Sequence, residues 1–494
     1  MPAPFNLAAH VLARATDRPD KIALAILGPT KAERWSYARL EAAVRGTATG
    51  LLKAGLEPSD RVLLRLGNSA DFPIAYLGAI TAGVIPVPTS AALTAPEVTA
   101  LAADLSPAAI LHDGKAALPD HPASVHDLAT LRSWRDLPPA EYATGDPDRA
   151  AYIVYTSGTS GQPRGVIHAH RAILARQMMV DGWYGLTKDD RLLHAGAFNW
   201  TYTLGTGLLD PWTIGATALI PQAGTKPDLL PLLMKRHEAT LFAAAPGVYR
   251  QLLRASPLLD QPHLRHGLSA GEKLPDQTRA AWETATGTKI HEAFGMSECS
   301  TFLSGSPARA APPGTSGYPQ PGRRVTLRTG GTEANVGTIA IHRSDPGLML
   351  GYLNAPEETA ARFDGDWFLT GDLGRAEPDG AIIYLGRADD MMNAGGVRVS
   401  PLEVEAALAA HPEITDIAAA EVAVKSNATI IAAFYTAARD IVEDDLKAFA
   451  ATRLARYKQP RLYRRLAELP RGANGKLLRR QLRADFETEK DPVP

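Results

Sequence analysis

Apolar residues in this chain come in short runs that alternate with longer stretches of helical spacing. Residues 6–15 carry the pattern of a short helix, 22–26 of a strand, 37–52 of a helix, 61–66 of a strand, 72–82 of a helix and 84–87 of a strand. Such alternation predicts βα units on a mostly parallel sheet. It resumes between residues 168 and 246, where strands at 217–220 and 240–243 flank a helix around 229–236, so a second α/β subdomain is expected. Residues 325–352 differ: short strands, Gly330, Gly331, Gly337 and Gly347, and no helical period predict a small β subdomain. After Gly386 the rhythm changes again. Ser400-Pro-Leu-Glu403 reads as a capping box with proline at the first helical position, opening a helix that runs to about His411. Strands at 417–424 and 429–435 follow, then a helix over 442–454 with Glu443, Asp444 and Asp445 in its first turn, a compact α+β module.

Composition narrows the class. A chain of 494 residues exceeds what one core serves, so two or more domains are expected. The formal net charge of −1 argues against bulk nucleic-acid binding and against a polybasic membrane patch. One cysteine, Cys299, excludes internal disulfides and cysteine-based metal clusters and suits the reducing cytoplasm. The first twenty residues lack the long apolar region of a signal peptide. The most apolar longer stretch, 76–93, is broken by Pro86 and Pro88 and reads as buried core rather than a membrane span. A soluble protein, monomer or homodimer, is expected.

The densest chemistry lies at 155–165, Tyr-Thr-Ser-Gly-Thr-Ser-Gly-Gln-Pro-Arg-Gly. Strand-like residues on both sides make it a loop between two strands. Gly158, Gly161 and Gly165 allow the backbone to turn N–H groups inward, Thr156, Ser157, Thr159 and Ser160 add hydroxyls, and Arg164 adds charge, a nest suited to triphosphate oxygens. A Walker loop is excluded because its Gly-x-x-x-x-Gly-Lys-Ser/Thr pattern and its following helix are missing. Gly205-x-Gly207 lacks the third glycine of a dinucleotide fingerprint. His168-x-His170 has metal-ligand spacing, but nothing completes the site, so a structural role is expected.

Four further segments fit a nucleotide. In His291-Glu-Ala-Phe-Gly-Met-Ser-Glu298, Phe294 can stack on a purine, Ser297 can bond a phosphate and Glu298 can hold Mg²⁺. Thr370-Gly-Asp-Leu-Gly374 places Asp372 in a tight turn, where it can accept from both ribose hydroxyls. Gly386-Arg-Ala-Asp-Asp390 offers a cation and two acids at the change of rhythm, and Leu469-Pro-Arg-Gly-Ala-Asn-Gly-Lys476 puts a lysine on a glycine-rich loop.

This ordered set resembles the adenylate-forming superfamily of acyl-CoA synthetases, peptide-synthetase adenylation domains and luciferases, over almost the whole chain. The resemblance implies an α/β fold: a large N-terminal domain, residues 1–386, of two α/β subdomains plus a distorted β-barrel, a hinge at 387–390, and a small mobile α+β C-terminal domain, 391–494. It implies an ATP- and Mg²⁺-dependent acid–thiol ligase that forms an acyl-adenylate, releases pyrophosphate and passes the acyl group to coenzyme A. The loop at 156–165 would hold the β- and γ-phosphates, Ser297 the α-phosphate and Glu298 the Mg²⁺. Gly271, Glu272 and Lys273 would lie against adenine opposite Phe294, with Asp372 and Arg387 on ribose. Asp389 would be the hinge, Lys476 would bridge carboxylate and α-phosphate, and Gly395 and Gly396 would let a pantetheine arm pass.

Arg164 stands where the family usually has lysine, and Ser297 where it usually has threonine; both keep charge or hydroxyl. Residues 453–483 hold eleven Lys or Arg against one acid, Glu468, a local field that suits CoA phosphates or an acidic carrier protein. No carrier domain is present in the sequence, which favours free CoA. Phe198, Asn199, Trp200, Ser269, Ala270, Thr301 and Phe302 fall in segments that line the acyl pocket of similar enzymes, and their aromatic, small, uncharged character suits an aromatic or compact monocarboxylate. A second carboxylate would need a buried cation, and Glu292-Ala293 offers none. Ser269-Ala-Gly-Glu272 is most similar to benzoate-CoA ligase-like enzymes, while Thr301-Phe302 departs from the His-Ile of benzoate enzymes, leaving short or medium aliphatic acids open. Carrier-protein loading and a non-catalytic nucleotide-binding scaffold are the alternatives.

Overall fold

The computed structural model describes residues 3–157, 163–256, 258–394, 397–425, 428–472 and 477–488. The chain forms two units, Met1–Val325 with Ile341–Phe368, and Thr326–Ala340 with Leu369–Pro494.

In the first unit the predicted alternation is present, but it feeds two sheets. Ile85–Pro88, Arg61–Arg65, Ala109–His112 and Ser124–Asp127 form a parallel four-stranded sheet in that order. Ile22–Leu27 instead leaves for the nine-stranded sheet, where it pairs parallel with Thr217–Pro221 and antiparallel with Ala32–Ser36. Local periodicity identifies a strand without choosing its neighbour, and here burial of five of its six residues suits a sheet interior. The rest of that sheet runs through Arg191–His194, Leu241–Ala244, His266–Ala270 and Ile290–Met296, all parallel, and ends in antiparallel Ser300–Ser304 and Tyr318–Pro319. A third, antiparallel sheet is built from Ala150–Ser157, Pro163–Ala169 and Gly351–Tyr352.

Helices are fixed to these sheets by capping and burial. Asn6 caps the helix Leu7–Leu12 by accepting from Ala8 N at 2.9 Å, while its amide donates to Ile80 O and Ala143 O at 2.9 and 2.8 Å. The stretch at 76–93 becomes the end of the buried helix Asp71–Thr81 and the strand Ile85–Pro88. Among the described residues, no helix is long and apolar enough to cross a membrane.

Val325–Thr329 and Val336–His342, within the glycine-rich segment expected to form short strands, lie beside Trp367–Ala376 and Ile382–Arg387 in one sheet, whereas Gly351–Tyr352, from the end of that segment, joins the antiparallel sheet with Pro163–Ala169. Asp416–Lys425 and Ala428–Thr436 pair antiparallel, with Leu462–Arg465 parallel beside them. Their period of two sorts the core. Ile417, Ala419, Ile431 and Ala433 pack with Val404, Leu408 and Leu446 on one face, while Ala418, Ala420, Val422 and Phe434 pack with Leu482 and Phe486 on the other. The capping box at 400–403 does not form. Ser400 Oγ donates to Leu385 O at 2.5 Å and Glu403 pairs with Lys458 at 2.5 Å, so tertiary partners take both side chains and the helix Pro401–Ala409 starts without a side-chain cap.

Candidate active site

The strands Ala150–Ser157 and Pro163–Ala169 pair antiparallel with Thr156 opposite Arg164 and Tyr155 opposite Gly165, so the two flanks of the motif at 155–165 form a hairpin. Gly158, Thr159, Ser160 and Gly161 lie outside the described residues, and Ser157 is described only as the end of its strand. Arg164 makes a two-pronged contact with Glu358 through Nε at 2.8 Å and Nη2 at 2.5 Å. Glu358 was not found from the sequence, because it lies 194 residues away on the helix Pro356–Ala361.

Two side chains tie this hairpin to the Ser297–Glu298 turn. His168 Nε2 meets Ser297 O at 2.7 Å; a carbonyl only accepts, so Nε2 carries the proton and Nδ1 is a bare acceptor. Burial, partly offset by that bond, holds the His168 pKa down to about 4, so the ring is neutral. The imidazole stacks on Tyr152 with centroids 4.9 Å apart. His170 Nδ1 accepts from Leu7 N at 3.0 Å, so both histidines hold structure together, as expected. On the other side, Tyr352, whose strand pairs with Val166, donates its hydroxyl to Glu298 Oε1 at 2.8 Å. Burial first, then the Glu298 carboxylate, raise the Tyr352 pKa, which keeps it a donor. Met349 N donates to Glu298 O at 2.7 Å. Glu298 is 9% exposed.

Behind Ser297 lies a buried Arg176–Asp210 pair that sequence patterning missed. Arg176 Nε and Nη2 reach Asp210 Oδ1 and Oδ2 at 2.8 and 2.7 Å, and Nη1 donates to Ser300 Oγ at 2.7 Å. Gly205 is required here: any Cβ would overlap the guanidinium. Tyr76, Tyr152, His168, Thr201, Ser297 and Ser300, with Arg176, line a cavity at this point.

The segments expected to line an acyl pocket divide. Phe198 is 1% exposed and packs on Phe72 with centroids 5.2 Å apart, so it is core rather than pocket wall; Asn68, accepting from Phe198 N at 3.0 Å and donating to Gly196 O at 2.7 Å, sets the turn that turns it inward. Phe302 is fully buried edge-on against Phe294, at 5.5 Å, and Ala270 is likewise core. Asn199, Trp200 and Thr301 are half-buried. Thr301 Oγ1 lies 2.6 Å from Met179 Sδ. Trp200 lies over Gly271, whose φ is +97° and whose Cβ, were there one, would fall 2.5 Å from Trp200 Cζ2. The segments expected to line the acyl pocket and to lie against adenine therefore meet. The turn after Gly271 is pinned by Glu292, which accepts from Leu274 N at 3.0 Å and Arg279 Nη2 at 2.9 Å; Glu272 is half-buried and Lys273 exposed in it. Ser269 is buried with an unpartnered Oγ.

In the second unit, Asp372 and Arg387 face each other across the hairpin of Trp367–Ala376 and Ile382–Arg387. Asp372 is 5% exposed, accepts from Tyr384 Oη at 3.2 Å and lies 3.8 Å from Arg387 Nη1. Arg387 Nε donates to Asp389 Oδ1 at 3.1 Å, so one guanidinium spans the two acids, and Asp389 itself is exposed. The basic segment is less positive than its sequence: Lys458, Arg465, Arg471, Arg479 and Arg483 pair with Glu403, Asp440, Asp416, Glu405 and Asp390. Gly395, Gly396 and Lys476 lie outside the described residues.

With this geometry established, known proteins give a consistent picture. Residues 11–353 match the AMP-binding enzyme family and residues 403–476 the AMP-binding enzyme C-terminal domain. A benzoate–CoA ligase of Thauera aromatica is 31% identical over 87% of this chain and 86% of its own length. The structure of a benzoate-CoA ligase from Burkholderia xenovorans LB400 superposes with a TM-score of 0.84 at 29% identity, covering 97% of this chain and 100% of that one. That of an anthranilate-CoA ligase in complex with anthranoyl-AMP gives 0.88 at 26% identity, covering 98% of each chain. The chain belongs to the AMP-binding enzyme family, in its acyl-CoA ligase branch.

Proposed function

We propose that the protein activates an aromatic or compact monocarboxylic acid with ATP and transfers it to coenzyme A, acting as a monomer or homodimer in the cytoplasm. The observation that carries this reading is the fastening of the phosphate hairpin to the Ser297–Glu298 turn, 129 residues away in sequence, by His168 and, through its paired strand, by Tyr352.

A carboxylate is a poor electrophile. Its oxygen attacks the α-phosphorus of ATP, the bond to pyrophosphate breaks, and the acyl-adenylate forms; the thiol sulfur then attacks the carbonyl and AMP leaves. Both first partners are anions, so the site must place positive charge and donors where charge gathers. Arg164 and the loop at 156–161 take the β- and γ-phosphates, Ser297 the α-phosphate, and Lys476 bridges carboxylate and α-phosphate. Phe294 stacks on adenine opposite Gly271, Glu272 and Lys273, and Asp372 with Arg387 binds ribose. Asp389 is the hinge, and Gly395 and Gly396 flank the pantetheine arm.

Glu298 fits a Mg²⁺ ion. Among the described residues no cluster of three His, Cys, Asp or Glu forms a protein cage, and Mg²⁺ characteristically takes one or two carboxylates with water and substrate phosphates. Tyr352 occupies one carboxylate oxygen and fixes the orientation of the other. When bound, the ion would offset phosphate charge.

The test is to mix the protein with ATP, Mg²⁺ and a panel of acids, with and without CoA. Pyrophosphate release with acyl-CoA formation is expected. Release without acyl-CoA would mark a carrier-loading enzyme, and ATP binding with no release for any acid would mark a scaffold.

A further inference from the structure

The cavity beside Ser297 has Leu204, Gly205 and Leu209 in its walls and, apart from Ser297 itself, polar groups that the adenylation chemistry does not use. Its floor is Tyr76 on the buried helix Asp71–Thr81, His168 and Arg176; its partly exposed rim is Tyr152, Thr201, Ser297 and Ser300. Two floor atoms have no hydrogen-bond partner although each residue is at most 2% exposed: Tyr76 Oη and His168 Nδ1. An unmade hydrogen bond at such depth is costly, so the cavity is built for a polar guest.

The chemistry of the lining limits that guest. His168 Nδ1 is an acceptor, since Nε2–H is spent on Ser297 O, and Tyr76 Oη can donate or accept. A hydroxyl can accept from Tyr76 and donate to His168; an amino group can donate to both. An anion is refused. The one cation in the lining, Arg176, is already neutralised by the two-pronged contact with Asp210, and Nδ1 presents a lone pair. A second carboxylate would therefore be buried without a counter-charge.

We propose that this cavity is a polar compartment of the acid-binding site and receives a neutral hydroxyl or amino substituent of the acid. This rests on the acid-activating reading above. Its place supports it: Thr201 and Ser300 on the rim are the immediate neighbours of Trp200 and Thr301 in the predicted acyl segments, and Ser297 is the proposed α-phosphate contact.

The experiment compares benzoate with the three hydroxybenzoates, the three aminobenzoates and phthalate, measuring ATP–pyrophosphate exchange and, independently, calorimetric binding of each acid. At least one hydroxy or amino isomer should exceed benzoate by ~10-fold or more in both, and phthalate should be rejected. Tyr76→Phe keeps the ring but removes the hydroxyl and should cut that ratio by ~10-fold. Thr201→Leu, which fills the rim and leaves the floor intact, should abolish it as well. Benzoate binding as well as every isomer, or a ratio that survives both substitutions, would overturn the assignment and leave the cavity as a site for buried water. Absence of exchange with every acid would overturn the acid-activating reading, while the binding ratios would still decide the cavity.

Discussion

Acid should unfold the first unit well above the pH at which carboxylates protonate. Six of its histidines are buried, between 0 and 8% exposed, and desolvation lowers the pKa of each; for five it does so strongly, to about 4 for His168, His266 and His291 and about 3 for His170 and His194. In the unfolded chain each would protonate near pH 6.5. The unfolded state thus binds more protons, so the stability these rings contribute is complete above about pH 6.5 and drains as the pH falls toward their folded values. Between pH 7 and pH 5 each of these five rings forfeits on the order of 2 kcal/mol, and the five together about 9 kcal/mol, comparable with the whole stability of an ordinary domain. His194 isolates the effect. Neither of its nitrogens has a hydrogen-bond partner and it meets Tyr202 edge-on, with centroids 4.4 Å apart, so His194→Leu removes a titrating group without breaking a hydrogen bond. Urea unfolding at pH 7, 6 and 5 should show the parent losing stability steeply, with the variant's slope near pH 5 smaller by about 1.4 kcal/mol per pH unit. Equal slopes in parent and variant, or a parent indifferent to pH over this range, would refute the reasoning.

Glu358→Gln should lower the KM for ATP about two- to five-fold, the scale of an exposed ion pair, because it releases the Arg164 fork for phosphate; a raised KM would show that Glu358 assists instead. Asp210→Asn should destabilise the first unit by about 3–5 kcal/mol by stranding the buried Arg176 charge, read from urea unfolding, and a cost near zero would count against the pair as an anchor. Lys476→Ala should slow adenylation by at least ~10² to 10³-fold while sparing thioester formation from a pre-made acyl-adenylate, and loss of both half-reactions together would point to a structural role for its loop.

Much of the fold was legible because period and burial agree locally. The helix Tyr37–Lys53 and the strands Arg61–Arg65 and Thr217–Pro221 lie where hydrophobic spacing put them, within a residue or two. Sheet membership was not legible: Ile22–Leu27 looks like the opening strand of the first βα series, yet it joins another sheet, in which its parallel neighbour, Thr217–Pro221, lies almost two hundred residues on. Ser400–Glu403 shows the converse failure. Its local pattern fits a cap, but Leu385 O and Lys458 offered both side chains tertiary partners, and those won.

The candidate site divides along the same line, and the division falls between the reaction and its substrate. The groups proposed to touch phosphate lie in contiguous motifs because a turn of backbone N–H groups needs neighbouring residues. The side chains that hold them do not: Glu358 and Tyr352 contact Arg164 and Glu298 from 194 and 54 residues away, and the Arg176–Asp210 pair behind Ser297 joins residues 34 apart. Substrate contacts are harder still, since adjacent residues of a strand point to opposite faces and an assignment by segment cannot tell lining from core. Phe198 and Phe302, the most conspicuous aromatics of the predicted acyl segments, are core, whereas Thr201 and Ser300, each one residue from a predicted contact, line the cavity. The choice of acid should therefore respond to Tyr76 and Thr201 more than to either phenylalanine, whose truncation would act first through lost packing and shift stability before selectivity.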